Sequence, residues 1–537
     1  MPTLNWIGKE AVVNHHLQVP FHLLKDVPSL ACGEPGDGNL IVQGDNLVAL
    51  KALLPYYAGQ VKCIYIDPPY NTGNENWVYN DNVNSPIIRD WLGKVVGGEG
   101  ETLDRHDRWL CMMYPRLALL RQFLRPDGLI FINLDDTETA SCRMIMDEIF
   151  GTSNCLAIVA WEKRYTRSNN AKLFYSVKDT LLVYRKSEAV SFLREAQTEK
   201  ADSIYKNPDS DPRGPWTSAS YVNPATKAER PNLVYPITNP FSGKIVNHPT
   251  HAWKFELEEH NRHISEKRLW WGKNGTAKFP RLKVFPKTEG GGLVPVDVWN
   301  HEETGTTDEG GNELKDIFGA AIFQNPKPTR LLLRVLQLAT KPGDLVMDSF
   351  AGSGTTGVAV LKLNNSSLPE EPRRFILVEM ESKIAQEVTA ERVRRVAEGY
   401  INAKGEKVEG LGGGFRYCEL GDPLFNEVGK IRETVSFTDL ATHVFFTETG
   451  EPLPRGHVAK SHFIGECRGV GIYLLYNGIL GDKTANGGNV LTRSLLAQLP
   501  KFDGQKVIYC AGCLISRDRL QAERIIVRQT PYEIKIS

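Results

Sequence analysis

The chain has 537 residues, and its 64 Lys+Arg balance 64 Asp+Glu to a formal net charge of zero; 41% of residues are hydrophobic and 24% charged. That composition excludes a disordered chain, a collagen-like fibre and a coiled-coil rod, and the length suggests about three or four domain-sized units. Zero net charge taken alone argues against a nucleic-acid partner, whose footprint is usually basic, but a net figure averages over the chain while a binding groove is local.

Residues 1–37 read as an N-terminal extension, without a basic start and apolar core of the secretory kind. Leu40-Ile41-Val42 and Cys63–Ile66 are short β-rich runs that end in polar loops, Gly44-Asp45-Asn46 and Asp67-Pro68-Pro69-Tyr70. This is the pattern of buried parallel strands with functional loops at their C-terminal ends. Between them, Leu47, Leu50, Leu53 and Leu54 predict a helix over 46–57. A second helix is predicted over 109–124, then a turn at Arg125-Pro126-Asp127-Gly128 and a strand over 129–133. From about Trp161 the text turns irregular and rich in Pro, Asn and aromatics. Two glycine-rich patches there, Glu289–Leu293 and Thr304–Asn312, are expected to be mobile loops. The alternation returns at Pro328, with a helix over 331–338, a turn at Lys341–Asp344, a strand over 345–348, a glycine loop, a helix and a strand over 375–378. Gly412-Gly413-Gly414 suggests a boundary before a last unit with strands near 470–475 and 506–509.

Strand–helix alternation means α/β, here a doubly wound, mostly parallel sheet written in two halves. The expected division is an extension over 1–37, a first half over 38–160, an insert over 161–315, a second half over 316–411 and a small α+β unit over 412–537. No apolar run reaches the ~18–20 residues that span a bilayer. Nine scattered cysteines suit free thiols in a reducing cytoplasm. Cys510-x-x-Cys513 lacks a second pair, and His248-x-x-His251 and His260-x-x-His263 have no cysteine nearby, so no metal site is expected.

Two of the strand-end loops carry chemistry. Asp348-Ser349-Phe350-Ala351-Gly352-Ser353-Gly354-Thr355-Thr356-Gly357 contains G-x-G-x-x-G between a strand and a helix. Glycines suit a tight turn that a ligand approaches through its backbone. Glu379 ends the next strand, where a carboxylate can take both hydroxyls of a ribose. This signals an adenosine-containing cofactor. It is either a dinucleotide, with its pyrophosphate at the helix N-terminus, or S-adenosylmethionine, with its amino-acid end in the loop. In Asp67-Pro68-Pro69-Tyr70, two prolines lock φ and remove two N–H donors. The stiff backbone leaves carbonyl acceptors beside the Asp67 carboxylate. Such a set can accept both hydrogens of an exocyclic amine and turn its lone pair away from the ring. Tyr70 offers a face for base stacking, worth roughly 1–3 kcal/mol.

These motifs together resemble those of amino-group DNA methyltransferases, and their order (catalytic loop, insert, glycine loop) resembles the permuted β group. Tyr65-Ile66-Asp67-Pro68-Pro69-Tyr70-Asn71-Thr72-Gly73, Trp161-Glu162-Lys163 and Arg268-Leu269-Trp270-Trp271-Gly272 look like the modification (Mod) subunits of type III restriction–modification systems. The resemblance covers roughly residues 38–420. It implies S-adenosylmethionine as cofactor and the N6 amine of a flipped adenine as target. The alternatives are the N4 amine of cytosine or a catalytically silent DNA-binding module. A nicotinamide-dependent oxidoreductase would leave the Asp-Pro-Pro-Tyr loop without a role.

Carried over to this chain, Asp67, Pro68, Pro69 and Tyr70 hold and stack the base. Asp45 lies near the cofactor adenine, and Asp67, Asp348, Phe350, Gly352, Gly354 and Thr355 shape the cofactor pocket. Glu379 binds the ribose, and Lys327 stands beside the methionine end. Gln324-Asn325-Pro326 departs from the Thr-Gln pair common before that lysine. The implied partners are double-stranded DNA, a separate restriction or helicase subunit or other defence protein, and a second copy of the chain. The implied location is cytoplasmic and nucleoid-associated, with no membrane. No G-x-x-x-x-G-K-[ST] is present, so an ATP motor is not expected on this chain.

The charge objection dissolves locally. Residues 161–300 hold 23 Lys+Arg against 15 Asp+Glu, and six of the ten tryptophans. A basic, aromatic segment is the footprint of a groove that tracks phosphates, although most of those tryptophans are expected in a core.

Overall fold

The computed structural model describes residues 3–33, 38–71, 105–166, 173–195, 205–285, 292–367, 369–426, 431–432, 434–451, 453, 461–477, 484 and 487–530. Thr72 and Gly73 of the motif string, and most of the Glu289–Leu293 patch, lie outside them.

Ten strands form one sheet. In chain order they are β1 (His22–Asp26), β2 (Leu40–Gln43), β3 (Val61–Ile66), β4 (Leu124–Leu134), β5 (Cys155–Glu162), β6 (Lys178–Arg185), β7 (Val298–Trp299), β8 (Leu345–Asp348), β9 (Arg374–Glu379) and β10 (Arg416–Pro423). Their spatial order is β1-β10-β2-β9-β8-β3-β4-β6-β5-β7. The run from β10 to β4 is parallel throughout. β1 pairs antiparallel to β10, and β6 antiparallel to both β4 and β5. The helices relevant to the site are α1 (Asn46–Tyr57), α2 (Arg105–Phe123), α3 (Thr139–Phe150), α4 (Thr307–Phe318), α5 (Thr329–Ala339), α6 (Thr355–Ser367) and α7 (Glu391–Glu398). The strand segments 40–42, 63–66, 345–348 and 375–378 are almost wholly buried, as both faces of the sheet carry helices.

The topology positions the site. β8 leads through α6 to β9 on one side, while β3 leads through α2 to β4 on the other. The connections diverge between β8 and β3. A crevice therefore opens at the C-terminal ends of these two neighbours, as open α/β sheets require at a topological switch point. The two halves of the sequence meet there, with Leu345 beside Val61 and Met347 beside Ile64.

Several boundaries differ from the expectation. Arg125–Gly128 is a bulge inside β4 and not a turn: Val61 pairs with Leu124 and Cys63 with Leu129. The Lys62 and Arg125 side chains hold Asp127 at 2.9 Å and keep the bulge in the sheet. Thr304–Asn312 is largely helical, since the Thr306 hydroxyl caps the first turn of α4 by accepting from Glu309 N at 3.2 Å. Gly412–Gly414 does not divide the chain, because β10 follows it and lies inside the main sheet. The extension is not peripheral either: β1 supplies that sheet's edge strand, and Phe21 joins a core with Leu440, Val444 and Ile472. The last segment adds a four-stranded sheet of Phe463–Cys467, Val470–Leu474, Gln505–Cys510 and Ile525–Gln529. Cys510 is buried there and Cys513 half-buried, and neither forms a disulfide.

Leu193–Pro295 forms a second compact unit, narrower than 161–315, since 161–192 and 296–315 belong with the first. Among the described residues it is built of short antiparallel pairs, the α-helix Leu257–Ser265 and a 3-10 turn at Pro231–Leu233. Its core is Tyr221, Tyr235, Ile237, Trp253, Trp271 and Leu282. His260 and His263 are buried, and both Nδ1 atoms meet the Tyr221 hydroxyl, at 3.0 and 3.1 Å. They are core histidines, and burial lowers the pKa of each. Among the described residues no helix is long and apolar enough to cross a membrane.

Candidate active site

Asp67 follows the last residue of β3, and both its carboxylate oxygens accept hydrogen bonds. Oδ1 accepts from the Tyr70 hydroxyl at 2.8 Å and from Asn133 Nδ2 at 3.3 Å; Oδ2 accepts from Lys327 Nζ at 2.5 Å. Lys327 also lies 5.0 Å from the centroid of the Tyr70 ring, within cation–π range. The predicted pair of halves is thus bridged by an ion pair across the crevice. Tyr65, Asp67, Lys327, Leu332, Asp348 and Phe350 help enclose about 30 Å³ of it, room for about two waters.

The two prolines have different roles. The Pro69 carbonyl accepts from the buried Trp109 indole at 2.7 Å, which anchors the loop to α2. Pro69 therefore holds the loop in place through its carbonyl. Among the described residues no donor engages the Pro68 carbonyl. Asn71 closes the loop at φ +60°, a left-handed conformation Asn tolerates, and donates to Arg105 O at 3.0 Å and to buried Glu138 at 2.5 Å. Burial and the flanking charges of Asp179 and Asp67 push the Tyr70 phenol well above its ordinary pKa, so it stays a hydroxyl.

The glycine loop is held from inside. Glu379 ends β9, and its two oxygens accept from Gly352 N and Glu381 N, each at 2.9 Å. Asp348 ends β8 and accepts from Phe350 N at 3.0 Å and Thr356 Oγ1 at 2.6 Å. Its complete burial raises its pKa to about 7. Gly352 and Gly354 have φ of +49° and +75°, and a Cβ on Gly354 would lie 3.1 Å from the Thr389 carbonyl. Thr355 donates to Lys327 O at 3.2 Å and accepts from buried Arg392 at 2.8 Å. Asp45 caps α1, accepting from Leu47 N and Val48 N at 2.9 and 3.1 Å, and pairs with buried Arg116 at 3.0 Å. Asn46 beside it donates to Ser349 O at 3.3 Å, which ties this loop to the glycine loop.

All the expected residues therefore gather at one end of the sheet, but Asp45, Pro69 and Thr355 serve chiefly to hold the loops. Sequence reasoning missed Asn133, Asp179, Arg116 and Arg392. Asn133 and Asp179 each stand next to an apolar strand run, at the same end of the sheet as Asp67; the two arginines sit within helices and gave no local signal.

An open α/β sheet here places a glycine loop and an Asp-Pro-Pro-Tyr loop across its switch point, an arrangement with room for a nucleotide-type cofactor beside carbonyl and carboxylate acceptors. The family described as DNA methylase matches residues 61–391, and the chain belongs to that family. It is 31% identical to the type III restriction-modification enzyme StyLTI Mod subunit of Salmonella typhimurium, over 67% of this chain and 57% of that protein. It is 29% identical to the EcoPI Mod subunit of Escherichia phage P1, over 71% and 64%. It is also 28% identical to the type II methyltransferase M.KpnI of Klebsiella pneumoniae, over 68% and 89%. The chain thus spans a little over half of the first Mod relative and somewhat under two thirds of the second.

Proposed function

We propose that this protein methylates the exocyclic N6 amine of adenine at specific sites in double-stranded DNA, with S-adenosylmethionine as donor. The observation that carries this reading is the Asp67–Lys327 pair, which joins the Asp-Pro-Pro-Tyr loop to the segment beside the glycine loop. Asp at the first position of the Asp-Pro-Pro-Tyr loop supports adenine as the base, and similarity to two Mod subunits of type III restriction-modification enzymes supports restriction–modification as the setting. That similarity also supports a separate restriction subunit as partner; a second copy of the chain is a further one.

The residues present suit the cofactor. Phe350, Asp348 and the side-chain-free Gly352 line the crevice, and Glu379 holds Gly352 N from the end of β9. A Cβ on Gly352 would intrude to 3.2 Å from Phe323. Bound there, S-adenosylmethionine supplies an electrophilic methyl on a sulfonium. The chain has to extract the base, at a cost of a few kcal/mol offset by pocket contacts. Tyr70 stacks on the base, while the Pro68 carbonyl and Asp67 accept the two amine hydrogens and aim the lone pair. Orientation does most of the work in such a displacement. The insert, with the compact unit Leu193–Pro295 at its heart, reads the DNA. That unit carries 16 Lys+Arg against 11 Asp+Glu, and among the described residues no ion pair engages Lys244, Lys254, Lys267, Lys273 or Lys278.

Labelled-methyl transfer to DNA, followed by single-molecule sequencing of the product, tests the reading. N6-methyladenine at a defined site is expected. Asp67→Ala should abolish transfer by at least about 10³-fold while cofactor binding by calorimetry persists, in line with losses for transition-state contacts. N4-methylcytosine as product, or full activity in Asp67→Ala, overturns it.

A further inference from the structure

The Trp161-Glu162-Lys163 segment stands out in the sequence, and the chemistry described so far leaves it without a role. In the structure, β5 ends at Glu162 and β6 begins at Lys178, so Lys163 and Asp179 meet at the same end of the sheet as Asp67. Lys163 Nζ lies 2.6 Å from Asp179 Oδ1, and Asp179 Oδ2 lies 3.2 Å from the Tyr70 hydroxyl. A single line of groups runs Lys163, Asp179, Tyr70, Asp67, Lys327, with a cation at each end and the phenol between two carboxylates. Asp179 is 2% exposed, so its charge is compensated by Lys163 and by the phenol and not by water.

A tyrosine hydroxyl has one proton to donate. It can serve Asp67 or Asp179 but not both at full strength. Asn133 Nδ2 donates to the phenol oxygen and fills an acceptor site there, so the hydroxyl hydrogen is left to choose between the two carboxylates. Burial and the adjacent charges hold the phenol protonated, so the choice is a rotation about the C–O bond with no proton transferred. In the structure the shorter contact is to Asp67, 2.8 against 3.2 Å. Asp67 Oδ1 then has both its acceptor sites filled, by Tyr70 and by Asn133 Nδ2, while Oδ2 takes Lys327. An amine arriving at Oδ1 needs one of its two sites.

We propose that Asp179, held by Lys163, is a positioning residue that takes over the Tyr70 hydroxyl hydrogen when the target amine engages Asp67 Oδ1. The hydroxyl turns from one carboxylate to the other, Oδ1 becomes available to the amine, and the ring of Tyr70 keeps its tether and its stacking orientation throughout. The inference rests on the methyltransferase reading above and names residues that reading does not use.

The test is a double-mutant cycle on the full-length protein, using DNA that carries the site found by sequencing. Asp179→Asn should lower kcat about 10- to 100-fold, with the cofactor Kd within about twofold of wild type. Tyr70→Phe, which has no hydroxyl to redirect, should lower kcat as well. Adding Asp179→Asn to Tyr70→Phe should then cost less than threefold more. Lys163→Gln keeps the carboxylate and loosens its hold. It should give a smaller loss, again absent in the Tyr70→Phe background, and it covers the case in which Asp179→Asn does not fold. Losses that multiply in the double variants, or single variants within twofold of wild type, overturn the inference. A wild-type protein inactive on DNA overturns the methyltransferase reading instead, so the two failures are told apart.

Discussion

Asp348 sits at the end of β8 with no exposure to speak of, and the charges of Asp67 and Glu379 lie near it. Burial, aided by those neighbours, raises its pKa to about 7 against two hydrogen bonds that work the other way. An acid whose folded value is raised binds its proton more tightly folded than unfolded. Its penalty is absent below about pH 4, where both states are protonated. It grows as pH rises through the window between the ordinary carboxylate value and 7, and is complete above it. Asp348→Asn keeps an acceptor for Phe350 N and carries no charge. The variant is therefore expected to match wild type near pH 4 and to be more stable at pH 8, by on the order of 2–4 kcal/mol. Urea unfolding at the two pH values measures it, and equal stability at pH 8 refutes it. This penalty was invisible in the sequence, where Asp348 read as the acid that opens the glycine loop and shapes the cofactor pocket. Asp67 and Tyr70 were legible because prolines and a flat ring state their chemistry locally. Asn133 and Asp179 were not, since their meaning comes from strands far apart in the chain.

At the scale of elements, α4 shows how a composition rule fails. Glycines at 310 and 311 suggested a mobile loop, but Thr306 caps the first turn and the helix runs on to Phe318. Gly310 is there for contact: a Cβ on it would lie 2.3 Å from the Pro326 carbonyl. The backbone of α4 therefore abuts the segment that delivers Lys327 to Asp67. Gly310→Ala should gain about 1 kcal/mol of helix propensity and lose roughly 1–3 kcal/mol to the clash. The clash wins because its neighbour is backbone and cannot rotate away. We expect a net loss of up to about 2 kcal/mol in unfolding free energy, together with weaker cofactor binding as Lys327 shifts. Gly311 has nothing within 4 Å of a Cβ position, so Gly311→Ala should be neutral or stabilising by about 1 kcal/mol. Denaturation of the two variants side by side decides the matter, and equal effects would sink the packing explanation. The four strands β2, β3, β8 and β9 around the crevice, by contrast, were legible to within about two residues, because short β-rich runs ending in polar loops have few other readings.

Across the whole molecule, the question is where the insert ends and the catalytic sheet begins. A change of texture near Trp161 placed the insert at 161–315, yet β6 binds both β4 and β5, and β7 continues the edge. β6 was hidden because it lies antiparallel at the margin of a parallel sheet, and β7 because it is only two residues long, both in text already rich in aromatics and polar residues. The difference has a measurable consequence. Replacing Leu193–Pro295 with a short Gly/Ser linker leaves all ten strands, Lys163, Asp179 and the Asp67–Lys327 pair in place. That variant should fold, bind cofactor within about threefold of wild type and lose site-specific DNA binding, because the surplus of Lys and Arg that tracks phosphates goes with the unit. Removing 161–315 instead deletes β6 and β7, and strips β4 and β5 of the strand that joins them. Leu129–Leu134 would lose a six-residue antiparallel partner, and Leu181, Leu182 and Tyr184 would leave the core. The longer deletion should therefore give insoluble or molten protein, while the shorter gives a cooperative melt. Thermal unfolding, cofactor calorimetry and a DNA-shift assay at fixed salt separate the outcomes. If the shorter deletion kept its site preference, the Leu193–Pro295 unit would not be what reads the DNA.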